Sequence, residues 1–133
     1  MAPFTIPVRV YWEDTDAGGV VYHASYLRFL ERARTDWLRA LGIDQSALLR
    51  DERRQFAVVE AHIHYHRAAR YGEMLQVSVT PGELRGASFV MQQEIRRDSS
   101  AGELLVSATI RAACLDSDSL RPQRLPQVLI QNI

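Results

Sequence analysis

Between residues 24 and 41 the apolar positions Tyr26, Leu27, Leu30, Ala33, Trp37, Leu38 and Leu41 recur every three or four residues. That spacing lines one face of an α-helix. Arg28, Glu31, Arg32 and Arg39 fill the opposite face. Ser25 fits the N-cap of this helix, and Gly42 fits the left-handed position that ends many helices. Elsewhere the period drops to two. Residues 8–12, 56–66, 74–80, 88–96 and 104–115 alternate and are rich in β-branched or aromatic side chains, which predicts five strands. Pro3 and Pro7 punctuate the lead-in. Pro81-Gly82 with Gly86, and residues 98–102, supply turns, and residues 67–73 break the strand pattern. Residues 43–54 read as a polar connection with a short helical piece at 45–50, and the tail carrying Pro122 and Pro126 reads as irregular.

One strand, one long helix and four further strands predict an α+β fold in which an antiparallel sheet packs on a single helix. There are no repeats, low-complexity tracts or linkers, so residues 1–133 are expected to form one domain. A large sheet around a lone helix leaves an edge or a face open. Dimerisation is the economical way to cover it.

Composition narrows this further. The formal net charge is zero, which gives no general reason to expect nucleic-acid or anionic-membrane binding. Every basic residue is Arg, so a phosphate contact would use planar, multi-donor guanidinium groups. The single cysteine, Cys114, excludes an internal disulfide and suits a reducing compartment; in its apolar run it reads as a buried, inert thiol. No signal-peptide pattern opens the chain and no apolar run approaches the ~20 residues that span a membrane, so a cytoplasmic location is expected.

The chemistry concentrates just ahead of the helix, in residues 13–23. A carboxylate placed before a helix N-terminus sits beside unpaired backbone N–H groups and the positive end of the dipole, an arrangement suited to attack on a carbonyl. Gly18-Gly19 lets the backbone turn sharply and approach a ligand. Asp14 and Asp16 would share one face if the chain there is extended. Spacing leaves open whether either reacts or both merely complement the dipole. His23, at the helix start, can orient a proton near neutral pH or serve as a structural hydrogen-bonding group. Tyr22, Tyr26, Phe29 and Trp37 read as core or pocket wall.

His62, His64 and His66 alternate along one predicted strand with Glu60 in the same register. Ligands two apart on a straight strand stand in a row about 7 Å apart and converge poorly on a tetrahedral ion, so a polar or interface face is expected rather than a metal site. Arg85, Arg121 and Arg124 fall at a turn or in the tail, where they either reach a shared ligand or are ordinary surface charge. G-x-S-x-G, P-loop, G-x-G-x-x-G and H-E-x-x-H patterns are absent, and Cys114 has no neighbouring His. Catalysis, if present, falls to carboxylate chemistry.

The run VRVYWEDTDAGGVVYHASYLRFLERARTDW over residues 8–37 closely resembles the N-terminal motif of the hotdog-fold acyl-CoA thioesterases related to 4-hydroxybenzoyl-CoA thioesterase. The likeness is strongest to the bacterial subfamily associated with the Tol-Pal system. Tyr65, Ala69, Arg70, the Arg85-Gly86 turn with Ser88, and the pairs Arg121-Pro122 and Leu125-Pro126 extend it over nearly the whole chain. The sequence departs from the subfamily at Ala68, where proline is common, and in its alternating histidines. The resemblance implies a five-stranded antiparallel sheet wrapped around the helix, and homodimers or homotetramers with sites at subunit interfaces. It implies hydrolysis of an acyl-CoA thioester without metal or redox cofactor. Asp16, the second Asp of D-x-D, is then the nucleophile or general base. The His23 backbone amide polarises the thioester carbonyl while the His23 side chain positions substrate or water. Tyr22 lies against the substrate, and Arg85, Arg121 and Arg124 meet the CoA phosphates. One alternative differs in class, a non-catalytic module binding acyl carrier protein or another partner; a second enzymatic one, a hotdog dehydratase, is weaker because the D-T-D-A-G-G run belongs to the thioesterase pattern.

Overall fold

The computed structural model describes residues 3–133. Five strands, β1 (Phe4–Arg9), β2 (Arg54–Tyr65), β3 (Met74–Arg85), β4 (Ser88–Arg97) and β5 (Leu104–Asp116), form one sheet in the order β1-β3-β4-β5-β2, every pair antiparallel. Three helices accompany it: α1 (Ser25–Ala40), α2 (Gln45–Glu52) and α3 (Gln127–Gln131). The α+β reading therefore holds, with β1 and β2 as the two edges.

Most of the predicted apolar stripe buries α1, but Leu27 is 44% exposed and Phe29, outside that stripe, takes a place in the core. Tyr26, Phe29, Leu30, Ala33, Trp37 and Leu38 are buried and share one core cluster with Leu75, Val77 and Val79 of β3, Phe89, Met91 and Ile95 of β4, and Ile110 of β5. Each fully buried aliphatic or aromatic side chain contributes about 1.5–3 kcal/mol, so this stripe holds the helix on the sheet. Inside that apolar layer stands one amide. Gln93 is 1% exposed; its Oε1 accepts from Arg34 at 3.0 Å, and its Nε2 donates to the carbonyls of Leu30 (3.1 Å) and Ser78 (3.2 Å). Helix and sheet are thus tied through a side chain whose polar atoms are all satisfied.

Several boundaries differ from the pattern reading, each for a physical reason. The first strand is Phe4–Arg9 rather than 8–12, because β1 pairs only with β3 and Pro7 is tolerated on an edge strand. Residues Trp12–Asp14 instead form a single 3-10 turn. Ala24, not Ser25, occupies the cap of α1, and the Ser25 hydroxyl accepts from Arg28 at 3.0 Å. Strand β3 runs through Pro81-Gly82 to Arg85, with a register shift between Pro81 and Leu84, and the chain reverses at Gly86 with φ +61°. In the tail, Leu125 and Leu129 are buried and organise the short helix α3 where irregular chain was expected.

Candidate active site

The two acidic residues ahead of α1 occupy different environments. Asp14 lies within the 3-10 turn and is 3% exposed. Its Oδ2 accepts from the Tyr11 N–H at 2.8 Å, its carbonyl accepts from the Tyr22 N–H at 2.8 Å, and Arg28 stands 3.6 Å from its Oδ1. Asp14 is committed to holding the loop. The chain is not extended here, so the shared face expected for Asp14 and Asp16 does not exist.

Asp16 sits at the base of a hairpin closed by a bridge between Thr15 and Val21. The Asp16 N–H donates to the Val20 carbonyl at 2.9 Å, and the Gly19 N–H donates to the Asp16 carbonyl at 3.0 Å. The carboxylate is exposed, and Oδ1 accepts from the Gly18 N–H at 2.8 Å. Its Oδ2 has no hydrogen-bond partner among the described residues. Gly19 has φ +83°, where an L side chain is strained, and a Cβ on Gly18 would come 3.2 Å from Asp16 Oδ1. Both glycines are therefore explained by the turn that presents this carboxylate.

Two residues beyond the hairpin, the backbone enters α1. The Tyr22 carbonyl accepts from the Ser25 N–H at 2.8 Å, and the His23 carbonyl accepts from the Tyr65 hydroxyl at 3.1 Å. The His23 and Ala24 N–H groups find no acceptor among the described residues. They are donors of the kind that a helix N-terminus leaves free. The Tyr22 and His23 rings are exposed and lie 4.6 Å apart, and the Tyr65 ring meets His23 edge-on at 6.4 Å. Val21, His23, Tyr26, Tyr65 and Ala68 line a shallow pocket of about 260 Å³ beside these donors.

The segment between β2 and β3 supports the hairpin from behind. Val21 N–H donates to the Ala69 carbonyl at 2.8 Å, while Ala69 N–H donates to the Tyr26 hydroxyl at 3.0 Å. Burial pushes the Tyr26 phenol above its ordinary range, against the opposing pull of the Ala69 bond. Arg97 closes the network, paired with Glu73 and donating to the Ala68 carbonyl at 3.2 Å and to Glu103 at 3.1 Å. Tyr26, read from the sequence as core or pocket wall, is both; Tyr65 entered only through the resemblance, with no role assigned, and Glu73 and Arg97 were missed. A second signal for Tyr65 was its alternation with Ile63, on the face opposite the histidines.

The predicted arginines lie elsewhere. Arg85 ends β3 and pairs with Glu83 at 2.8 Å. Pro122 bridges to Leu115, Gln123 N–H donates to the Cys114 carbonyl, and Cys114 N–H donates to Ala87, so Arg121 and Arg124 gather beside the Arg85-Gly86 turn. Both are exposed. The hairpin, by contrast, lies beside the start of β3, through the bridge from Val20 to Arg70 and the bond from Val10 N–H to the Glu73 carbonyl. Strand β3 spans 12 residues. At about 3.3 Å per residue, the two groups are roughly 35 Å apart along the sheet.

The alternating histidines face the outer side of the sheet. The His64 and His66 rings stack at 4.1 Å, His66 Nε2 lies 2.8 Å from the Ser107 hydroxyl, and His62 faces Glu60 at 3.5 Å. Their polar neighbours Gln92, Glu94, Ser107 and Thr109 make this a hydrophilic sheet face. Among the described residues no three His, Cys, Asp or Glu side chains gather to hold a metal.

The family model for the thioesterase-like superfamily matches residues 10–133. An acyl-CoA thioesterase from Haemophilus influenzae is 43% identical over 124 residues, covering 93% of this chain and 89% of that protein. The crystal structure of a probable thioesterase from Bartonella henselae superposes with TM-score 0.81 at 36% identity, covering 95% of this chain and 100% of the other. A 4-hydroxybenzoyl CoA thioesterase in complex with 4-hydroxybenzoyl CoA shares the fold at TM-score 0.89 and 21% identity, with 97% and 96% of the two chains covered. With five antiparallel strands around one long helix and a match over nearly its whole length, the chain belongs to the thioesterase-like superfamily and has its hotdog fold.

Proposed function

We propose that the protein is an acyl-CoA thioesterase, hydrolysing an acyl-CoA thioester to a carboxylic acid and free CoA. The observation that carries this reading is the Asp16 carboxylate, exposed with one free oxygen on a glycine hairpin that leads directly to unpaired N–H groups at the start of α1. The names borne by similar proteins point the same way.

The thioester carbonyl would accept from the His23 N–H, which stabilises the negative charge that develops on oxygen. Asp16 then acts by one of two routes. As nucleophile, its oxygen bonds to the acyl carbon, the C–S bond breaks, and the CoA thiolate leaves and takes a proton; water cleaves the resulting anhydride and restores the carboxylate. As general base, Asp16 takes a proton from water, whose oxygen adds to the carbonyl before the C–S bond breaks. The His23 and Tyr22 side chains flank the reacting group. No cofactor is required by either route.

The length of β3, which separates the Asp16 hairpin at its start from the turn and tail that carry Arg85, Arg121 and Arg124 at its end, also bears on assembly. Arg85, Arg121 and Arg124 are proposed to bind the CoA phosphates, and one chain does not bring them to its own Asp16. The long edge strand β2, with Val58 50% and Val59 57% exposed, is suited to antiparallel pairing with a second copy. That pairing would set one end of the sheet beside the opposite end of its partner, in a homodimer or a dimer of dimers. The cytoplasmic location rests on the single cysteine and the lack of a signal-peptide or membrane-spanning pattern, and the association with the Tol-Pal system on the sequence resemblance.

Thiol release from a panel of short, long and aromatic acyl-CoA esters tests the reaction, with acyl carrier protein thioesters as a second substrate series. Asp16→Asn should remain folded and lose about a hundredfold or more in kcat. Equal thiol release by wild type and variant would sink the mechanism, and carrier binding without turnover would favour the non-catalytic alternative.

A further inference from the structure

The proposed reaction uses an N–H group at the start of α1, yet neither side chain nor helix capping fixes the peptides that carry it: Ala24 is the cap residue and makes no side-chain bond. What pins them is on their carbonyl side. In a trans peptide the N–H points away from the C=O, so fixing the carbonyl fixes the donor. The Tyr22 carbonyl is held by the Ser25 N–H at 2.8 Å, which aims the His23 N–H. The His23 carbonyl is held by the Tyr65 hydroxyl at 3.1 Å, which aims the Ala24 N–H. The second bond comes from outside the loop, across 42 residues of sequence.

We propose that Tyr65 is a positioning residue for the thioesterase reaction: its hydroxyl, delivered by the last residue of β2, orients the His23–Ala24 peptide so that the N–H groups of His23 and Ala24 together face the carbonyl oxygen. The inference rests on the thioesterase reading of the same site. The Tyr65 ring packs 5.6 Å from Tyr26, which itself accepts from Ala69, and meets His23 edge-on, so the phenol is held in place on two sides. Among the described residues its hydroxyl has one partner, the His23 carbonyl, which makes it a donor to the peptide rather than part of a larger network. A hydrogen bond to that carbonyl also draws electron density from the Ala24 N–H, strengthening it as a donor. Because Tyr65 ends an edge strand, this bond links the position of that strand to the geometry of the reacting site.

Tyr65→Phe keeps the ring and removes the bond. Measured on the wild-type oligomer's best acyl-CoA substrate, kcat should fall about tenfold, the loss of roughly one net hydrogen bond in the transition state, with KM unchanged within about twofold. The backbone amide resonances of His23 and Ala24 should shift in the folded variant, and the melting temperature should stay close to wild type. A Tyr65→Phe enzyme with wild-type kcat, or with both amide resonances unmoved, overturns the inference. If wild type releases no thiol from any acyl-CoA or carrier-protein thioester, the thioesterase reading fails by itself, and the two amide resonances still decide whether Tyr65 orients the peptide.

Discussion

At the scale of single residues, the choice between Asp14 and Asp16 was open to spacing alone and fell to Asp16 only through the family motif. Two acids separated by one residue look alike in a string of letters. Their difference arises from the 3-10 turn, which turns Asp14 inward against Tyr11 and Arg28 and leaves Asp16 on the hairpin. That turn has no periodicity to read, since it is only three residues long. Gly18 gives the sharpest test of the hairpin. A Cβ there meets Asp16 Oδ1 at 3.2 Å, within the range where the carboxylate must yield by a few tenths of an ångström. Gly18→Ala should therefore lower kcat while shifting the melting temperature little, since its backbone is not in the left-handed region. An unchanged kcat with an intact fold would show that the contact does not govern the carboxylate. Cys114 behaves as its apolar run predicts: it is buried, and burial pushes its thiol above the ordinary range, opposed weakly by Arg54. Since the folded pKa is raised, the thiol's contribution to stability is complete below the unfolded pKa of about 8.5 and is lost as pH rises above it.

At the scale of elements, α1, β3, β4 and β5 were legible because their burial follows a period, whereas β2 was legible from its β-branched content although residues 58–62 are all exposed. Helix α1 differs by one residue at each end from the expected 24–41, and β4 and β5 differ by one. The period fails where tertiary contacts outweigh local signals. Proline at position 7 argued for a lead-in, but an edge strand accepts it; Pro122 and Pro126 argued for an irregular tail, but Leu125 and Leu129 are drawn into the core. Gln93 was equally hidden, since a polar residue on a half-buried strand is ordinary until its neighbours are known. It alone on the inner face of β4 carries polar atoms to Leu30 of α1 and to Ser78 of β3. Gln93→Ala removes those bonds, leaves Arg34 without its acceptor and opens a cavity, so it should destabilise the fold by about 2–4 kcal/mol in urea unfolding. A loss below about 0.5 kcal/mol would mean that water replaces the amide with no net cost.

At the scale of the whole molecule, the antiparallel sheet separates what the proposed reaction needs. The acid and the N–H donors stand where β3 begins and β2 ends; Arg85, Arg121 and Arg124 stand where β3 and β5 end. Sequence order concealed this, because a motif match places residues in one family role without saying which copy of the chain supplies them. If the site is shared between two copies, two inactive variants should complement each other. Asp16→Asn subunits lack the reacting acid, and a triple variant with Glu at positions 85, 121 and 124 lacks the proposed phosphate contacts. When the two are unfolded together and refolded as a mixture, half of the random dimers are mixed, and each mixed dimer carries one site with both lesions and one with neither. Thiol release should then recover to about one quarter of wild type, although each variant alone is nearly inactive. If all groups of one site come from a single chain, every site keeps a lesion and the mixture stays as inactive as its parts. Because a variant that fails to fold supplies no group to a shared site, the recovered fraction separates the shared site from a simple loss of folding in either variant.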